Sequence, residues 1–390
     1  MVKQKVLLYG CGDIYQKNYF WIYMLFDIVG VVDQKFKCSI SEQREYTIAE
    51  GIQLQYDFIM VTIAQYDEIK QYLHEKYKIA YDKIHFFRDE FQVERIVSFG
   101  ERNPDITFYV LRAHWQEHKN GFYNFFNRIV RSYHYAQKKG YELVVDMKNY
   151  YTEYVPIESY GRINVWEQFY EQPSSYSLEE VYRSQNVILS KYGMDWNENR
   201  VGDILSLGHE KYDPYIILGK KYADRFIPSV ALNRNTIIEK QRLQMDNRVI
   251  IGVLMRGTDF WMKPKGHPVI HDMEQVIAEI HNQLIAKKNA YIYLATEDEN
   301  IFETFVDEFD DKLLFTNQCR SKRRDTLFMD IKFARENDYF LRGLEYCTVI
   351  EVLSNCDSLI ANCLCGGAMA ALTRNAGKYE NVLIFDDGVY

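Results

Sequence analysis

The chain has 390 residues, of which 47% are hydrophobic and 26% charged, a composition typical of a soluble globular protein with two or three domains. Its net charge of −8 argues against a nucleic-acid-binding face, and it contains no run of 18 apolar residues that would predict a membrane span. The first residues lack the pattern of a signal peptide, and the seven cysteines form neither a C-x-x-C pair nor a zinc cluster. These features favour a protein of the reduced cytoplasm and give no indication of a zinc site.

Residues 1–94 alternate strands and helices, which predicts a parallel sheet of the α/β class. The first strand, Lys5–Tyr9, runs into the glycine turn Gly10–Asp13 and an amphipathic helix. Further predicted elements are the strands Ile28–Val32, Tyr56–Thr62 and Ile84–Phe87 and the helix Asp67–Lys76.

The turn Gly10–Asp13, with Asp33 about 20 residues on, has the outline of a dinucleotide site. Tyr15, however, occupies the position of the third glycine in G-x-G-x-x-G. A structural turn is therefore favoured over a working cofactor site. The segment resembles the small Rossmann-like modules of bacterial polysaccharide-synthesis enzymes, some of which bind nucleotides or nucleotide sugars, and we expect an accessory module.

Residues 95–245 begin a second unit with a predicted β-α-β run, which indicates another parallel pair. Its elements are the strand Ile106–Leu111, the helix Gly121–Lys139 and the strand Glu142–Met147. Aromatic and polar residues then gather in 148–154 and 164–170, Val201–Leu207 has the pattern of a loop or strand edge, and Pro214–Arg242 is predicted to be helical.

Residues 246–390 form the third unit, a second doubly wound sheet. The predicted strands are Arg248–Leu254, Ala290–Ala295, Leu313–Phe315, Ser358–Ala361 and Val382–Phe385. The predicted helices are Met273–Lys287, Glu299–Glu308, Phe340–Ser354 and Gly366–Arg374.

Three loops of this last unit follow strands, where open α/β sheets bind ligands. The first carries Arg256 and Asp259, which fit either a phosphate and sugar site or a solvated surface ion pair. In the second, Glu297 and Asp298 either cap a helix or bind ribose, guanine or a metal. The third, 362–368, contains two adjacent glycines before a helix, a pattern that presents backbone N–H groups to a diphosphate. Together the loops predict a nucleotide diphosphate site.

The segments IGVLMRGTDF, YLATEDEN and FLRGLEYCTVIEVLSNCDSLIANC resemble, in this order and spacing, the three donor-site motifs of the fucosyltransferase superfamily. That superfamily includes the α-1,6-fucosyltransferases, the nodulation fucosyltransferases and, more distantly, protein O-fucosyltransferases. The resemblance covers residues 95–390, weakly in the first half. It implies a GT-B fold built from the last two units, a GDP-sugar donor, inversion at the anomeric carbon and no metal.

By position, the resemblance assigns Arg256 to the donor diphosphate and Asp259 to the acid that closes the first motif. Asp298 matches the second acid of A-T-D-D, and Glu297 replaces the first. We expect the donor to contact residues from all three motifs: Arg256, Thr296, Glu297, Asp298, Glu345, Asn362, Cys365, Gly366 and Gly367.

Three departures from the family pattern concern catalysis. Leu254 stands at the family's histidine, Gly257 stands where a second arginine is usual, and the following segment lacks the glutamate proposed as a base. Lys263 or Lys265 could restore the lost positive charge. His267 and Asp259 remain the candidate bases, although His267 could be a plain turn residue and Asp259 could orient Arg256.

The base and acceptor sites are less specific in the sequence. Glu345 or Glu351 could recognise guanine, and either could equally be a charge on a helix surface. On the acceptor side the candidates are His118, Asn120, Trp166 and Glu167, with Phe169 in the same aromatic stretch. Those rings either stack on a sugar or fill the core between domains.

The sequence thus predicts an inverting, metal-independent transferase that moves L-fucose, or a related deoxysugar, from a GDP-sugar to a glycan in bacterial surface polysaccharide synthesis. One alternative is a GT-B transferase that uses another nucleotide sugar, such as a UDP-sugar. The other is a non-catalytic nucleotide-sugar-binding protein. Peripheral association with a membrane stays open, and so does the oligomeric state.

Overall fold

The computed structural model describes residues 3–33, 45–91, 94–112, 121–149, 152–191 and 208–390. The predicted α/β class is confirmed, because three sheets dominated by parallel strands alternate with helices. Within these ranges no helix has both the length and the apolarity to cross a bilayer. The described α-helices in chain order are α1 Asp13–Leu25, α2 Ile48–Gly51, α3 Tyr66–Tyr77, α4 Phe87–Phe91, α5 Phe122–Lys139, α6 Val165–Phe169, α7 Leu178–Val181, α8 Asp213–Tyr222, α9 Val230–Arg242, α10 Met273–Ala286, α11 Glu299–Phe309, α12 Asp338–Leu353 and α13 Gly366–Asn375.

Residue contacts group the chain into two compact units. The first comprises Met1–His118, Gly140–Asn164 and Ser174–Trp196, and the second Lys119–Lys139, Val165–Pro173 and Asn197–Tyr390. Helix α5 belongs to the second unit, where Asn127 Nδ2 donates to the Gly366 carbonyl at 2.9 Å. This grouping divides the predicted range 95–245, and the three predicted domains 1–94, 95–245 and 246–390 stay a prediction.

The first unit contains a five-stranded parallel sheet in the order β3-β2-β1-β4-β5. The central strand is almost entirely buried because four of its five residues, Val6 to Tyr9, are apolar or aromatic and packed on both faces. Its strands are β1 Lys5–Tyr9, β2 Asp27–Val32, β3 Glu45–Tyr46, β4 Phe58–Val61 and β5 Ile84–Phe86.

The same unit holds a four-stranded sheet in the order β6-β9-β7-β8. The strands are β6 Arg95–Val97, β7 Arg102–Leu111, β8 Glu142–Val145 and β9 Ser184–Leu189. The predicted parallel pair β7–β8 is confirmed, whereas β9 was not predicted. Its first half, Ser-Gln-Asn, is polar, so the apolar run was too short to indicate a strand.

The second unit contains the other five-stranded parallel sheet, in the order β12-β11-β10-β13-β14. Its strands are β10 Ile250–Leu254, β11 Tyr291–Ala295, β12 Leu313–Leu314, β13 Ser358–Ala361 and β14 Asn381–Ile384. All five residues of β10 are buried, and a Cβ on Gly252 would come within 2.7 Å of the Leu353 side chain. Gly252 therefore allows α12 to pack closely against the sheet.

The predicted helical stretch Pro214–Arg242 is interrupted in the structure. Helix α8 ends at Tyr222, a short 3-10 turn covers Ala223–Arg225, and α9 begins at Val230. Pro228 removes a backbone N–H and disfavours helical geometry at the preceding residue. Ser229 then caps α9 by accepting a hydrogen bond from the Leu232 N–H at 3.3 Å.

Candidate functional site

The three predicted loops do lie at one edge of the second unit's sheet. Parallel pairing sets Leu254 opposite both Ala295 and Ala361, so the residues that follow β10, β11 and β13 are neighbours. Side chains of the first two loops bond to one another around the guanidinium of Arg256, and Asn362 of the third loop bonds to the Arg256 backbone.

Arg256 lies between two carboxylates. Its Nη1 is 3.1 Å from Glu297 Oε2, and its Nη2 donates to Asp259 Oδ1 at 3.2 Å. The Phe260 ring covers the guanidinium, with 4.5 Å from Cζ to the ring centroid. The side chain is only 16% exposed, so the predicted alternative of a solvated surface ion pair does not describe it.

Burial and charge act in opposite directions on this cluster. Burial by itself lowers the pKa of the Arg256 guanidinium, but Glu297 and Asp259 raise it above its usual value, and the arginine is a permanent cation. Burial raises the pKa of the Glu297 carboxyl, which the positive charge of Arg256 partly offsets. With both acids ionised, one cation faces two anions, so this group of three side chains carries a net charge of −1.

One nitrogen of Arg256, Nε, is left without a partner in the part of the chain that the structure describes. It is also buried. A buried N–H without an acceptor costs about 1–3 kcal/mol, and most native structures avoid that cost. Such a group is therefore a candidate for a ligand oxygen.

Gly257 and Thr258 join the first loop to the second. The Gly257 N–H donates to Glu297 Oε1 at 3.0 Å, and the Thr258 N–H donates to Asp298 Oδ2 at 2.9 Å. A Cβ on Gly257 would overlap the Asp298 side chain. The family's second arginine therefore has no room here, because the backbone of this loop lies directly against Asp298.

Thr258 has a left-handed backbone, with φ of 38°. For a β-branched residue this conformation costs about 1–3 kcal/mol, and it persists only where neighbours enforce it. Its hydroxyl lies 2.9 Å from Asp259 Oδ1 and 3.0 Å from Glu297 Oε1, and thus links the two acids that flank Arg256.

Asn362 joins the third loop to the first. Its Oδ1 accepts from the Arg256 N–H and its Nδ2 donates to the Arg256 carbonyl, both at 2.9 Å. The residue is 2% exposed. The sequence predicted a donor contact for Asn362, and the structure gives it a positioning role on the backbone of Arg256.

Asp298 and Thr296 are buried and bonded to the protein. Asp298 caps α11 by accepting from the N–H groups of Asn300 and Ile301, and Arg324 Nε lies 3.0 Å from its Oδ2. Thr296 accepts the Asp298 N–H at 3.2 Å. Of the predicted alternatives for Asp298, helix capping is the one the structure shows, and its direct contact with a donor stays a prediction.

Cys365, Gly366 and Gly367 form the start of α13. Cys365 is 5% exposed and precedes the first turn of the helix. A hydrogen bond from the Cys363 thiol is the largest cause that lowers the pKa of Cys365, to about 7. Burial raises this pKa, whereas Arg256 and the N–H groups of Ala368 and Gly367 lower it further. The start of this helix thus favours negative charge next to Arg256.

The candidate base His267 is exposed, and the Phe260 ring contacts both His267 and the Arg256 guanidinium. The imidazole packs edge-on against Phe260, with centroids 5.6 Å apart, and His267 also closes a turn through its N–H to the Pro264 carbonyl. Lys263 and Lys265 are exposed, and Lys263 Nζ lies 6.0 Å from the Tyr390 ring. None of the three contacts the guanidinium directly in the described hydrogen bonds.

The two glutamates that were proposed to recognise guanine have different surroundings in the structure. Glu351 is 4% exposed, accepts from Tyr170 Oη at 2.6 Å and pairs with Arg374 at 2.8 Å. Its carboxylate is therefore used for contacts inside the protein. Glu345 is half-buried, pairs with Arg335 and accepts the Cys319 N–H at 3.2 Å. Glu345 is therefore the remaining candidate.

The predicted acceptor residues do not form an exposed aromatic surface. Trp166 and Phe169 have no exposed surface and pack with Phe122, whose ring centroid is 5.9 Å and 5.1 Å from theirs. The structure therefore favours the alternative that these rings fill a core, here within the second unit. Glu167 is exposed and accepts from Gln172 at 2.8 Å. His118 and Asn120 lie outside the described residues, as does Val201–Leu207.

The glycine turn of the first unit is occupied by its own side chains. Asp33 Oδ2 accepts the Cys11 N–H at 2.7 Å, and Tyr15 is fully buried beside Tyr23, with 3.1 Å between their hydroxyls. The predicted structural role of this turn agrees with these contacts.

Three further residues of the site were not singled out from the sequence. Thr258 and Phe260 stand inside the quoted motif, and their contacts to the acids and to Arg256 appear only in the structure. Arg324 is distant in sequence from the three loops, and no pattern indicated its pairing with Asp298.

Within the described ranges, no group of three His, Cys, Asp or Glu side chains is arranged to hold a metal ion.

No protein-family model matches the chain, and no curated protein matches its sequence. Among solved structures the chain is similar to NodZ alpha-1,6-fucosyltransferase soaked with GDP-fucose, at TM-score 0.42 and 13% identity over 72% of this chain and 96% of that one. Fucosyltransferase NodZ from Bradyrhizobium follows at 0.40 and 12%, over 68% and 92% of the two chains. POFUT1 in complex with GDP-fucose follows at 0.40 and 10%, over 74% and 99%. At these values the similarities do not assign a family to the chain.

Proposed function

We propose that the chain is a glycosyltransferase of GT-B architecture that uses a nucleotide-diphosphate sugar, with the donor site at the edge described above. The observation that carries the proposal is Arg256, a largely buried cation at the strand ends whose Nε has no acceptor among the described residues. Its fork geometry suits phosphate oxygens, and a glycine-glycine helix start lies beside it. The motif resemblance described above supports the same assignment.

Within this proposal the donor is a GDP-sugar, with L-fucose or a related deoxysugar as the transferred group. Glu345 is the candidate for guanine because its side chain is 18% exposed, although it pairs with Arg335, whereas the Glu351 side chain is 6% exposed and bonded to Arg374 and Tyr170. The acceptor is a glycan hydroxyl of a bacterial surface polysaccharide, and the reaction takes place in the cytoplasm.

Transfer with inversion needs a base for the acceptor hydroxyl and stabilisation of the departing diphosphate. Arg256 supplies the positive charge for the leaving group. Asp259 already accepts from Arg256 and Thr258, which favours its role in orienting the arginine. His267 is exposed and is the candidate that could reach an acceptor.

The decisive experiment combines calorimetry with a turnover assay. GDP and GDP-fucose should bind and stabilise the protein, UDP and UDP-sugars should bind more weakly, and GDP should be released when a glycan acceptor is added. Tighter binding of a UDP-sugar would identify a transferase with another donor. Tight GDP-sugar binding without turnover on any tested glycan would identify the non-catalytic binding protein.

A further inference from the structure

The candidate base His267 lies in a loop whose two ends are attached to the donor edge. This loop, residues 261–271, begins directly after Phe260, whose ring covers the guanidinium of the site. At its other end, the His271 N–H donates to the Asn362 carbonyl at 2.8 Å. Asn362 in turn bonds to the backbone of the same arginine. We call residues 261–271 the His267 loop.

Between its ends the His267 loop buries none of its own residues. Every residue of the loop belongs to the described part of the chain, and each is exposed or only half-buried. Segments with few buried contacts are held weakly and open easily. The position of the imidazole therefore depends on what contacts the loop from the rest of the unit.

A second segment, residues 385–390, supplies such contacts through its backbone. The Gly266 N–H donates to the Tyr390 carbonyl, and the Tyr390 N–H donates to the His267 carbonyl, both at 3.0 Å. The Val269 N–H donates to another carbonyl of the segment, also at 3.0 Å. The two segments thus form a short antiparallel pair. One of its hydrogen bonds is made by the backbone of the candidate base itself.

Side chains extend this pairing toward the donor edge. His271 Nδ1 lies 2.7 Å from Asp387 Oδ2, and the His271 ring stacks on Phe385 with centroids 4.0 Å apart and an interplanar angle of 10°. His271 is also the residue whose N–H bonds to Asn362. The segment therefore contacts the loop at its middle and at the end that reaches the arginine of the site.

Two glycines allow the pairing through their backbone conformation. Gly266 has φ of 81° and Gly388 has φ of 90°, values that side chains disfavour. A Cβ on either glycine would meet no atom within 4 Å. Glycine is thus favoured at these positions by the shape of the backbone and not by a lack of space. Gly388 also provides the carbonyl that accepts from Val269.

We propose that residues 385–390 are a positioning element for His267 in the transfer reaction. By bonding the His267 loop, the segment keeps the imidazole edge-on against Phe260, beside the cation assigned to the donor. It acts through His267 and not by contacting a substrate. Catalytic groups must be held to within about 0.5 Å of their productive place, which a loop without buried residues does not achieve alone. The inference rests on the proposed function, in which His267 takes the proton of the acceptor hydroxyl.

Turnover and donor affinity of the full chain, measured side by side, test the proposal. Turnover is GDP release from GDP-fucose, with water as the acceptor where no glycan is accepted, and donor affinity is calorimetric GDP binding. Tyr390→Pro removes the N–H that bonds to His267, and Gly388→Ala strains the segment without a clash. Each variant should lower turnover about tenfold or more and leave GDP affinity within about twofold of the wild type.

A double-mutant cycle with His267→Gln distinguishes positioning from a general structural effect. If the segment acts through His267, Tyr390→Pro should lower turnover less than about twofold when His267→Gln is already present. Gly140→Ala is the matched control, because Gly140 also has a positive φ, of 69°, and open space for a Cβ, but follows α5 in the first unit. It should keep wild-type turnover.

Each outcome of the cycle has a distinct meaning. Far-ultraviolet circular dichroism and melting temperature check that the variants are folded. Wild-type turnover in both Tyr390→Pro and Gly388→Ala would overturn the inference and leave the proposed function standing, as would an equal loss with and without His267→Gln. A parallel loss of GDP affinity would also overturn it, because the segment would then support the donor site as a whole. Absence of turnover in the wild type would overturn the proposed function and the inference together.

Discussion

Two turns of the molecule occupy the same topological position. Each follows the central strand of a five-stranded parallel sheet, and the two sheets have the same strand order, β3-β2-β1-β4-β5 and β12-β11-β10-β13-β14. In the first sheet the turn is Gly10–Asp13, and in the second it is Met255–Asp259. Both edges are places where open α/β sheets bind ligands.

Their side chains use that position differently. In the first turn, Asp33 accepts the Cys11 N–H, and Tyr15 extends into the core, so local groups satisfy one another. In the second turn, Arg256 is largely buried between two acids, and its Nε has no acceptor within the described ranges. Both sheets therefore provide the same kind of edge at the end of the central strand. The side chains of each turn determine whether charged groups and unpaired donors are concentrated there.

The largest effect is expected at Arg256. Arg256→Ala should weaken GDP binding by about 2–5 kcal/mol, which is about 30-fold to several thousand-fold. It should also lower the melting temperature, because Asp259 and Glu297 would remain buried without a cation. Isothermal calorimetry and thermal unfolding measure the two effects.

Arg256→Lys distinguishes the effect on GDP binding from the effect on stability. Lysine keeps the positive charge but lacks the planar guanidinium, so we expect GDP binding to fall with a smaller loss of stability. Arg248→Ala is the control, because Arg248 stacks on Tyr291 at the opposite end of the sheet. GDP affinity unchanged in both Arg256 variants would contradict the assignment of the site.

Gly257→Ala should destabilise the protein by about 1–3 kcal/mol, because the new Cβ would overlap Asp298 and push the two loops apart. The corresponding change in the first turn, Gly12→Ala, meets no atom within 4 Å. We expect it to stay within about 0.5 kcal/mol of the wild type, since the poorer cap offsets the stiffer unfolded chain. Chemical denaturation measures both, and equal effects at the two glycines would contradict the difference drawn between the turns.

Cys365 should titrate near neutrality, with its pKa lowered to about 7. A lowered pKa in the folded state means that folding favours the thiolate. The stability it contributes is therefore fully present above the usual thiol pKa and declines as the pH falls through about 7. Thiolate absorbance of the wild type minus that of Cys365→Ser should show this midpoint.

Cys363→Ala provides the second test of that titration. Because the hydrogen bond from the Cys363 thiol is the largest cause of the lowered pKa, removing this donor should raise the Cys365 midpoint. A wild-type midpoint at the ordinary thiol value would contradict the described surroundings of Cys365.

Chelation should leave donor binding and turnover unchanged. Arg256 supplies the positive charge that a divalent ion provides in other transferases, and Asp298 is already bonded to Arg324 and the start of α11. Turnover before and after excess EDTA is the measurement. Loss of activity that Mg²⁺ or Mn²⁺ restores would show that the acids hold a metal during the reaction.

The first unit should show no stoichiometric binding of NAD. Tyr15 fills the space that a dinucleotide fingerprint leaves open, and the Cys11 N–H already has its acceptor. Calorimetry of the full chain with NAD should give no heat of binding. Recovery of NAD with the purified protein would show that the first turn also binds a ligand, which would contradict the difference described between the two turns.

Much of the local structure could be predicted because it depends on neighbours in sequence. The buried strands Lys5–Tyr9 and Ser358–Ala361 occur at the predicted residues, since continuous apolar runs between turns specify buried parallel strands. Strand β9 was missed because a half-polar strand carries a weak local signal. The break before α9 was missed although Pro228 is itself a local signal against a continuous helix.

By itself, the sequence determined the α/β class, the strand-end loops of the second unit and the central place of Arg256, because each follows from patterns among residues close in sequence. Only the tertiary structure decided that Asn362 positions the Arg256 backbone, that Glu351 is committed to Arg374, and that Trp166 is core. These outcomes depend on partners from distant parts of the chain. No local pattern specifies which distant groups will bury one another, so burial and pairing were settled by packing.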